Sequence, residues 1–572
     1  MSISLEYKRH SLAHLLAAAV LDLYPEAKPT IGPAIDNGFY YDFDNISISE
    51  KDLQAIEKKM RELVKSWKSF EGKEVSEKEA GAHFKDNPYK LELIGDIAKE
   101  GSKITFYTSG DFTDLCRGGH SENPSKDIAP SSWKLDRTAG AYWRGNEKNA
   151  MLTRIYGLAF DTKEELENYQ TQLEEAKKRD HKKLGQQLKL FMFHETAPGM
   201  PYWLPKGLIL YNELVDFWRK EHREYGYQEI ASPLVNKAEL WKTSGHWDHY
   251  KDDMFIADMG ENEVYGIKPM NCPNAMLVFQ SMQVSYKDLP VRLSDTDRLH
   301  RYERSGTLNG LFRCRSFQQD DSHNYISEDM IASEYAHIFE ICKKFYGIFN
   351  LSYSFRLGTR PEKFLGEKAT WDKAEQALRD ILKQSGVAYT IAEGDGAFYG
   401  PKVDILMKDS LGRDWQMGTI QLDFQQPLRF GLEYTDKDGK KKTPVVVHRV
   451  VYGSLERFIG VLIEHTAGAF PLWLSPVQVV VLPVSEKHEG AAREALAALK
   501  SANIRAELSD PNESLGKRVR EVKLQKIPYW LVIGDKDVAA NMATLESRNE
   551  QLGQLSIKEI SNKLLEEIKE RK

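Results

Sequence analysis

One stretch divides this chain before anything else can be read from it: TKEELENYQTQLEEAKKRDHKKLGQQLKL, residues 162–190, contains no proline and a single glycine. Its front is acidic and its rear basic, which complements a helix dipole, and Thr162 with Glu165 has the spacing of a capping box. The sequence therefore predicts a long, exposed connecting helix with a block of chain on either side. A chain of 572 residues also outgrows one hydrophobic core, and at roughly 150 residues per domain it calls for about three or four. The expected divisions are 1–161, a linker at 162–190, 191–475 and 476–572.

Composition excludes several classes. No apolar run approaches the ~18 residues of a membrane span, and LLAAAVL (Leu15 to Leu21), which has the look of a short signal core behind Lys8 and Arg9, is bordered by His14 and ended by Asp22. The four cysteines (Cys116, Cys272, Cys314, Cys342) lie far apart with no framework spacing, so reduced thiols in a cytoplasmic protein are expected, available for metal or chemistry. With a net charge of −6, no global positive field recruits nucleic acid. Any RNA contact must be local, at patches such as KKRDHKK (177–183) and GKKK (439–442), which an ordinary solvated face explains as well.

Between Phe191 and about Ser475, strand-like runs (GLFRCRSFQQDDSH, VDILMK, TPVVVHRVVYG) alternate with loops and helices, and DKDGK (436–440) reads as a hairpin turn. An antiparallel sheet follows. From Pro476 onward VQVVVLPV, IRAELS and YWLVIG read as strands separated by two helical patterns, a small α/β domain. The fold class expected is α+β multidomain.

The densest chemistry lies in RLHRYERSGTLNGLFRCRSFQQDDSH (298–323), where two basic strands flank a glycine-containing turn. Alternation would put Arg301 and Glu303 on one strand face and Arg313, Arg315, Phe317 and Gln319 on one face of the return strand. Downstream, GSLERF (453–458) follows a β run and opens a helix that carries Arg457. Arginine forks suit phosphate because they donate bidentate bonds and keep their charge. The R-x-E and G-x-x-x-R-F pair resembles motifs 2 and 3 of class II aminoacyl-tRNA synthetases, and LVDFWRKEHREYGYQEIASP resembles their motif 1. That resemblance implies an antiparallel catalytic core that binds ATP with Mg2+, a homodimer through motif 1, Arg301 on the α-phosphate, Glu303 near the adenine amino group, Phe317 stacking on adenine, and Arg313 and Arg457 on the nucleotide. No Walker-type loop or G-x-G-x-x-G after a strand competes with it.

Within the class, Cys272 in MNCPNA, His323 in QDDSH and His448 in VVVHR resemble the zinc triad of threonyl-tRNA synthetases. One thiolate and two imidazoles would leave a fourth position open for substrate. The resemblance implies L-threonine as substrate, Asp321 accepting its hydroxyl proton, Met270, Gln319, Tyr399 and Gln421 lining its pocket, and Lys402 among the catalytic groups beside Arg301 and Arg457.

In the first block, HSLAHLL puts His10 and His14 on one helical face, and CRGGH supplies Cys116 and His120. Four such side chains could make a closed zinc site. They also resemble the α+β editing domain of threonyl- and alanyl-type enzymes, which implies hydrolysis of seryl-tRNA with Lys90 and Asp114 nearby. The last hundred residues resemble an anticodon-binding domain for tRNA(Thr), with Asn512, Glu513 and Arg520 at base-contacting positions. Glu546 stands where an arginine is expected, with Arg548 two residues on as a substitute. The resemblance implies that the chain starts at the editing domain, without the small N-terminal TGS module of many bacterial relatives. The rival readings are another class II synthetase, of prolyl or alanyl type, and a non-catalytic RNA-binding regulator on the same scaffold.

Overall fold

A computed structural model describes residues 4–261, 263–409 and 412–571. The chain forms two compact units, Met1–Glu174 and Glu175–Lys572. The capping box at Thr162 and Glu165 forms, but the linker is not one helix: it runs as Lys163–Arg179, stops, and restarts as His181–Gln187. The break lies at Asp180, whose carboxylate accepts from the Lys182 and Lys183 amides and so acts as a new N-cap.

Unit 1 is built around the helix Leu5–Leu23, in which every residue from Ser11 to Val20 is buried. A helix apolar on all sides must be enclosed, and LLAAAVL accordingly forms core against Phe39, Tyr41, Ile56 and Trp133. The main sheet runs Lys28–Pro29, Gly38–Asp44, Met151–Ala159, Trp133–Tyr142, and a smaller antiparallel sheet joins Glu71–Glu74, Thr105–Ser109 and Phe112–Leu115.

Unit 2 centres on an eight-stranded sheet in the order Gln228–Ile230, Val291–Asp295, Asp321–Ile326, Val445–Val450, Asp414–Asp423, Lys402–Lys408, Ser354–Gly358, Tyr389–Ala392. The interior pairings are antiparallel, as expected, whereas the outermost pair at each edge is parallel. Helices Pro205–Glu224, Ile331–Ile348, Lys368–Ser385 and Leu455–Thr466 contribute to the large core on this sheet. Register then does the decisive work. His323 pairs with His448, His448 with Gln421, and Gln421 with Lys402, so one row of side chains crosses four neighbouring strands.

The C-terminal part of unit 2 is a five-stranded sheet, Ala506–Leu508, Val479–Pro483, Tyr529–Ile533, Ala543–Ser547, Gln551–Leu555. The first three strands are parallel, as their alternation with helices predicts, and an antiparallel hairpin completes it. No helix among the described residues is long and apolar enough to cross a membrane.

Candidate active site

A cavity of about 470 Å³ opens over that row. Its wall includes Arg301, Glu303, Arg313, Phe317 and Arg457 together with Met270, Cys272, Gln319, Asp321, His323, Tyr399, Lys402, Gln421 and His448. Every nucleotide, amino-acid and metal residue expected for this region thus reaches one space.

The backbone detail differs from the alternation argument. The two strands of the basic hairpin are short, Arg298–His300 and Ser316–Gln318, so Arg301 and Glu303 lie just past the end of one and Arg313 before the start of the other. Arg315 does not line the cavity: it is buried, and its guanidinium donates to the Glu303 carbonyl at 2.8 Å and to Ser305 Oγ at 3.3 Å, bracing the loop from behind. Arg301 donates to the Pro269 carbonyl at 3.2 Å and lies 5.1 Å over the Phe317 ring; Arg313 is 3.4 Å from Glu303. Arg457, in the first turn of Leu455–Thr466, donates to the Phe312 and Gln416 carbonyls at 2.7 and 2.6 Å. Burial, then the nearby cations Arg313 and Arg301, lower its pKa against the opposing Cys314. Three guanidiniums around one cavity favour a polyanion.

Cys272, His323 and His448, also in that wall, are all buried, and one donor atom from each lies within 4.8 Å of the other two. His448 Nε2 is 2.8 Å from Asp423 Oδ2, which leaves its other ring nitrogen for the cluster, the carboxylate–histidine arrangement common behind metal ligands. Burial, then the carboxylates of Asp321 and Asp423, push the Cys272 thiol well up, while burial and His448 push His323 well down. One thiol and two imidazoles, buried and converging, fit a zinc ion. Asp321 is pushed up to about 6, mainly by burial, with Asn271 donating to it at 3.1 Å. Tyr399 donates to Gln421 at 3.0 Å, and Lys402 is 3.1 Å from Asp404, which also holds Arg356.

Sequence reasoning missed three residues here. His246 is fully buried with Nε2 3.0 Å from Met270 Sδ and 3.9 Å from Cys272 Sγ, and Asp423 and Asn271 orient His448 and Asp321. Only the H-W-D-H run of residues 246–249 offered any signal.

In unit 1, His10, His14, Cys116 and His120 also converge, again with donor atoms within 4.8 Å. Cys116 Sγ is 3.5 Å from His10 Nε2 and 3.3 Å from His120 Nε2, and the two helix histidines approach to 3.2 Å. Asp114 makes an ion-pair contact with His14 at 3.1 Å and another with Lys90 at 2.5 Å, and accepts from Tyr41 at 2.6 Å. Burial alone would raise the Cys116 thiol; hydrogen bonds from His10, His120 and His14 reverse this and bring it down to about 3. Burial would likewise lower His14, but Asp114 and Cys116 raise it to about 9, and Lys90 and His14 overcome burial to hold Asp114 well below the usual carboxylate range. A cavity of about 470 Å³ lies beside Cys116 and Arg117.

On the C-terminal sheet domain, Asn512, Glu513 and Arg520 are exposed at and along the helix Leu515–Leu524, where Glu513 pairs with Lys517 at 2.6 Å. Arg548 is no substitute for the missing arginine. It lies beyond the strand, its guanidinium spent on the Phe470 and Lys526 carbonyls, while Glu546 accepts from Trp530 at 3.0 Å.

Comparison with known proteins agrees with this geometry. Residues 255–466 match the family model "tRNA synthetase class II core domain (G, H, P, S and T)" and residues 478–567 match "Anticodon binding domain". The chain is 49% identical to a threonine–tRNA ligase of Thermotoga neapolitana over 99% of its length and 89% of that protein. It is 50% identical to one from Caldanaerobacter subterraneus subsp. tengcongensis over 98% of its length and 87% of that protein. Among solved structures, the RNA binding domain of threonyl-tRNA synthetase from Cryptosporidium parvum Iowa II is 41% identical, with a TM-score of 0.66 over 68% of this chain and 98% of that one. A prolyl-tRNA synthetase from Cryptosporidium parvum, 16% identical with a TM-score of 0.53 over 68% of this chain and 75% of that one, shares the fold alone. With half its residues identical across nearly its whole length, this chain belongs to the threonyl-tRNA synthetases, the ligases that charge tRNA with threonine.

Proposed function

We propose that charging runs through a threonyl-adenylate made in the unit 2 cavity, and that unit 1 hydrolyses seryl-tRNA made in error. The observation that carries this reading is the meeting of Cys272, His323 and His448 in the wall of a cavity that Arg301, Arg313 and Arg457 also line. Cys272, His323 and His448 would hold zinc, which when bound supplies a Lewis-acidic centre for the amino and hydroxyl groups of threonine that valine cannot match. Asp321, kept dry, accepts the hydroxyl proton of the substrate, and Met270, Gln319, Tyr399 and Gln421 enclose the side chain. Lys402, braced by Asp404, faces the substrate carboxylate. ATP enters with Mg2+; Phe317 stacks on adenine, Glu303 takes its amino group, and Arg301, Arg313 and Arg457 hold the phosphates. The carboxylate then attacks the α-phosphorus in line and pyrophosphate leaves, with the arginines neutralising charge and fixing orientation.

Serine offers the same hydroxyl and amino groups, so the first pocket rejects it poorly. Where binding alone cannot discriminate enough, aminoacyl-tRNA synthetases as a class add a second, hydrolytic sieve. His10, His14, Cys116 and His120, organised by Lys90 and Asp114, supply a thiolate and imidazoles able to place water against an ester. Asn512, Glu513 and Arg520 are proposed to contact the anticodon of tRNA(Thr), without help from Glu546 or Arg548. Exposed Leu208 on the motif 1 helix and Leu234 and Val235 just after it support a homodimer, and four free cysteines support a cytoplasmic setting.

Pyrophosphate exchange with threonine, serine, valine, proline and alanine, alongside metal analysis, tests the synthetic half. Threonine is expected to drive exchange, serine to follow, and bound zinc to track activity. Exchange driven by proline or alanine instead would overturn the site assignment.

A further inference from the structure

His181 stands outside the wall of the active-site cavity and is almost completely buried. The Leu311 amide donates to its Nε2 at 3.1 Å. A backbone N–H can only donate, so Nε2 is the lone-pair nitrogen and Nδ1 carries the hydrogen. That hydrogen faces Glu464 Oε1 at 2.8 Å, and the His181 backbone amide donates to the same oxygen at 3.3 Å. One neutral ring is therefore bonded at both nitrogens, to two different segments.

Those segments carry the nucleotide-side arginines. Glu464 lies in the last turn of Leu455–Thr466, whose first turn holds Arg457. Leu311 belongs to the return loop whose ends meet in a bridge between Asn309 and Arg313. Arg457 donates to the Phe312 carbonyl, so the loop is gripped at two successive residues, by His181 at the Leu311 amide and by Arg457 at Phe312, and both grips lead to one helix. The imidazole packs on Phe312 with centroids 4.2 Å apart, and Lys182 donates to Asn309 at 3.2 Å. Gly310 lets the loop come this close: a Cβ there would stand 2.4 Å from His181 Nε2, and its φ is +51°.

We propose that His181 is a positioning residue for the ATP-dependent half-reaction, fixing the separation of Arg313 and Arg457 by tying the return loop to the arginine-bearing helix. It touches no substrate, and the proposal rests on the cavity being the nucleotide site. The test is threonine-dependent ATP–pyrophosphate exchange by the full chain with His181→Phe, which keeps a ring but loses both bonds, and His181→Gln, which retains an acceptor and a donor. His181→Phe is expected to raise KM for ATP about tenfold while KM for threonine stays within about twofold, and His181→Gln to recover most of the loss. An unchanged KM for ATP, an equal rise in both KM values, or no recovery with glutamine overturns the proposal. Should His181→Phe fail to fold, Glu464→Ala frees the same ring from the helix side and must show the same ATP-selective rise; its absence is equally fatal. Arg457→Ala, run in parallel, separates the two readings: if it leaves KM for ATP unchanged, the cavity assignment itself falls.

Discussion

In unit 1, Cys116 sits among three imidazoles beside a Lys90–Asp114–His14 ion network; in unit 2, Cys272 sits with two imidazoles, 3.9 Å from His246, where the carboxylates of Asp321 and Asp423 act on its thiol. Burial penalises a thiolate in both places. At Cys116 the histidines more than offset it and the thiol falls to about 3, whereas at Cys272 the carboxylates add to it and the thiol rises. The same residue types therefore favour the thiolate in one cluster and oppose it in the other. Metal dependence of threonine activation is expected at the second.

The largest effect that would break this contrast comes from Cys272→Ser. Threonine-dependent exchange should fall by about three orders of magnitude, or about 4 kcal/mol of transition-state stabilisation, with zinc lost in parallel. Hydrolysis of supplied seryl-tRNA should be untouched; a matching loss there would mean that the two sites are not independent. The converse variant, His10→Ala with His14→Ala, should slow seryl-tRNA hydrolysis by about a hundredfold and leave exchange within about twofold. Undiminished hydrolysis rejects the editing role. Asp423→Asn sharpens the comparison by weakening the support of His448 while keeping an oxygen for the Gln425 and Gln426 amides, and a loss of about 10–100-fold in zinc affinity is expected from equilibrium dialysis. Smallest is the pH dependence of alkylation. A thiol with a folded pKa of about 3 is already ionised at pH 5, so the rate at Cys116 should change little from pH 5 to pH 9, where an ordinary thiol gains about tenfold per unit up to about 8.5. A steep rise at Cys116, read by peptide mass spectrometry, would show that the histidines do not hold the thiolate.

Much of this was legible in the sequence because the chemistry is carried by residue types that are rare in combination. An arginine pair around a glycine turn, a G-x-x-x-R-F helix start and dispersed Cys–His sets survive without knowledge of register. What register and burial add was not legible. Period-2 alternation gave Arg315 a place in the cavity because it assumes an unbroken strand, yet the strand starts only at Ser316 and the arginine turns back to hold loop carbonyls. Arg548 failed for a related reason: its half-buried guanidinium is committed to the Phe470 and Lys526 backbone oxygens. Asp423 lies 25 residues from His448 and meets it only because their strands pair, so no local pattern announces it. The missed break at Asp180 was readable in principle, since aspartate before a basic helical turn is an N-cap, but the surrounding helix-forming residues masked it.

That break has a practical meaning for anyone who wishes to separate the two units. A scission at residue 175 would leave the ligase half with a stump of helix lacking its capping box at Thr162 and Glu165. A recombinant fragment that opens at Asp180 instead brings its own helix start and keeps His181 as acceptor for the Leu311 amide. The seam for dissecting this enzyme therefore falls at a single carboxylate and not at the midpoint of its connecting rod.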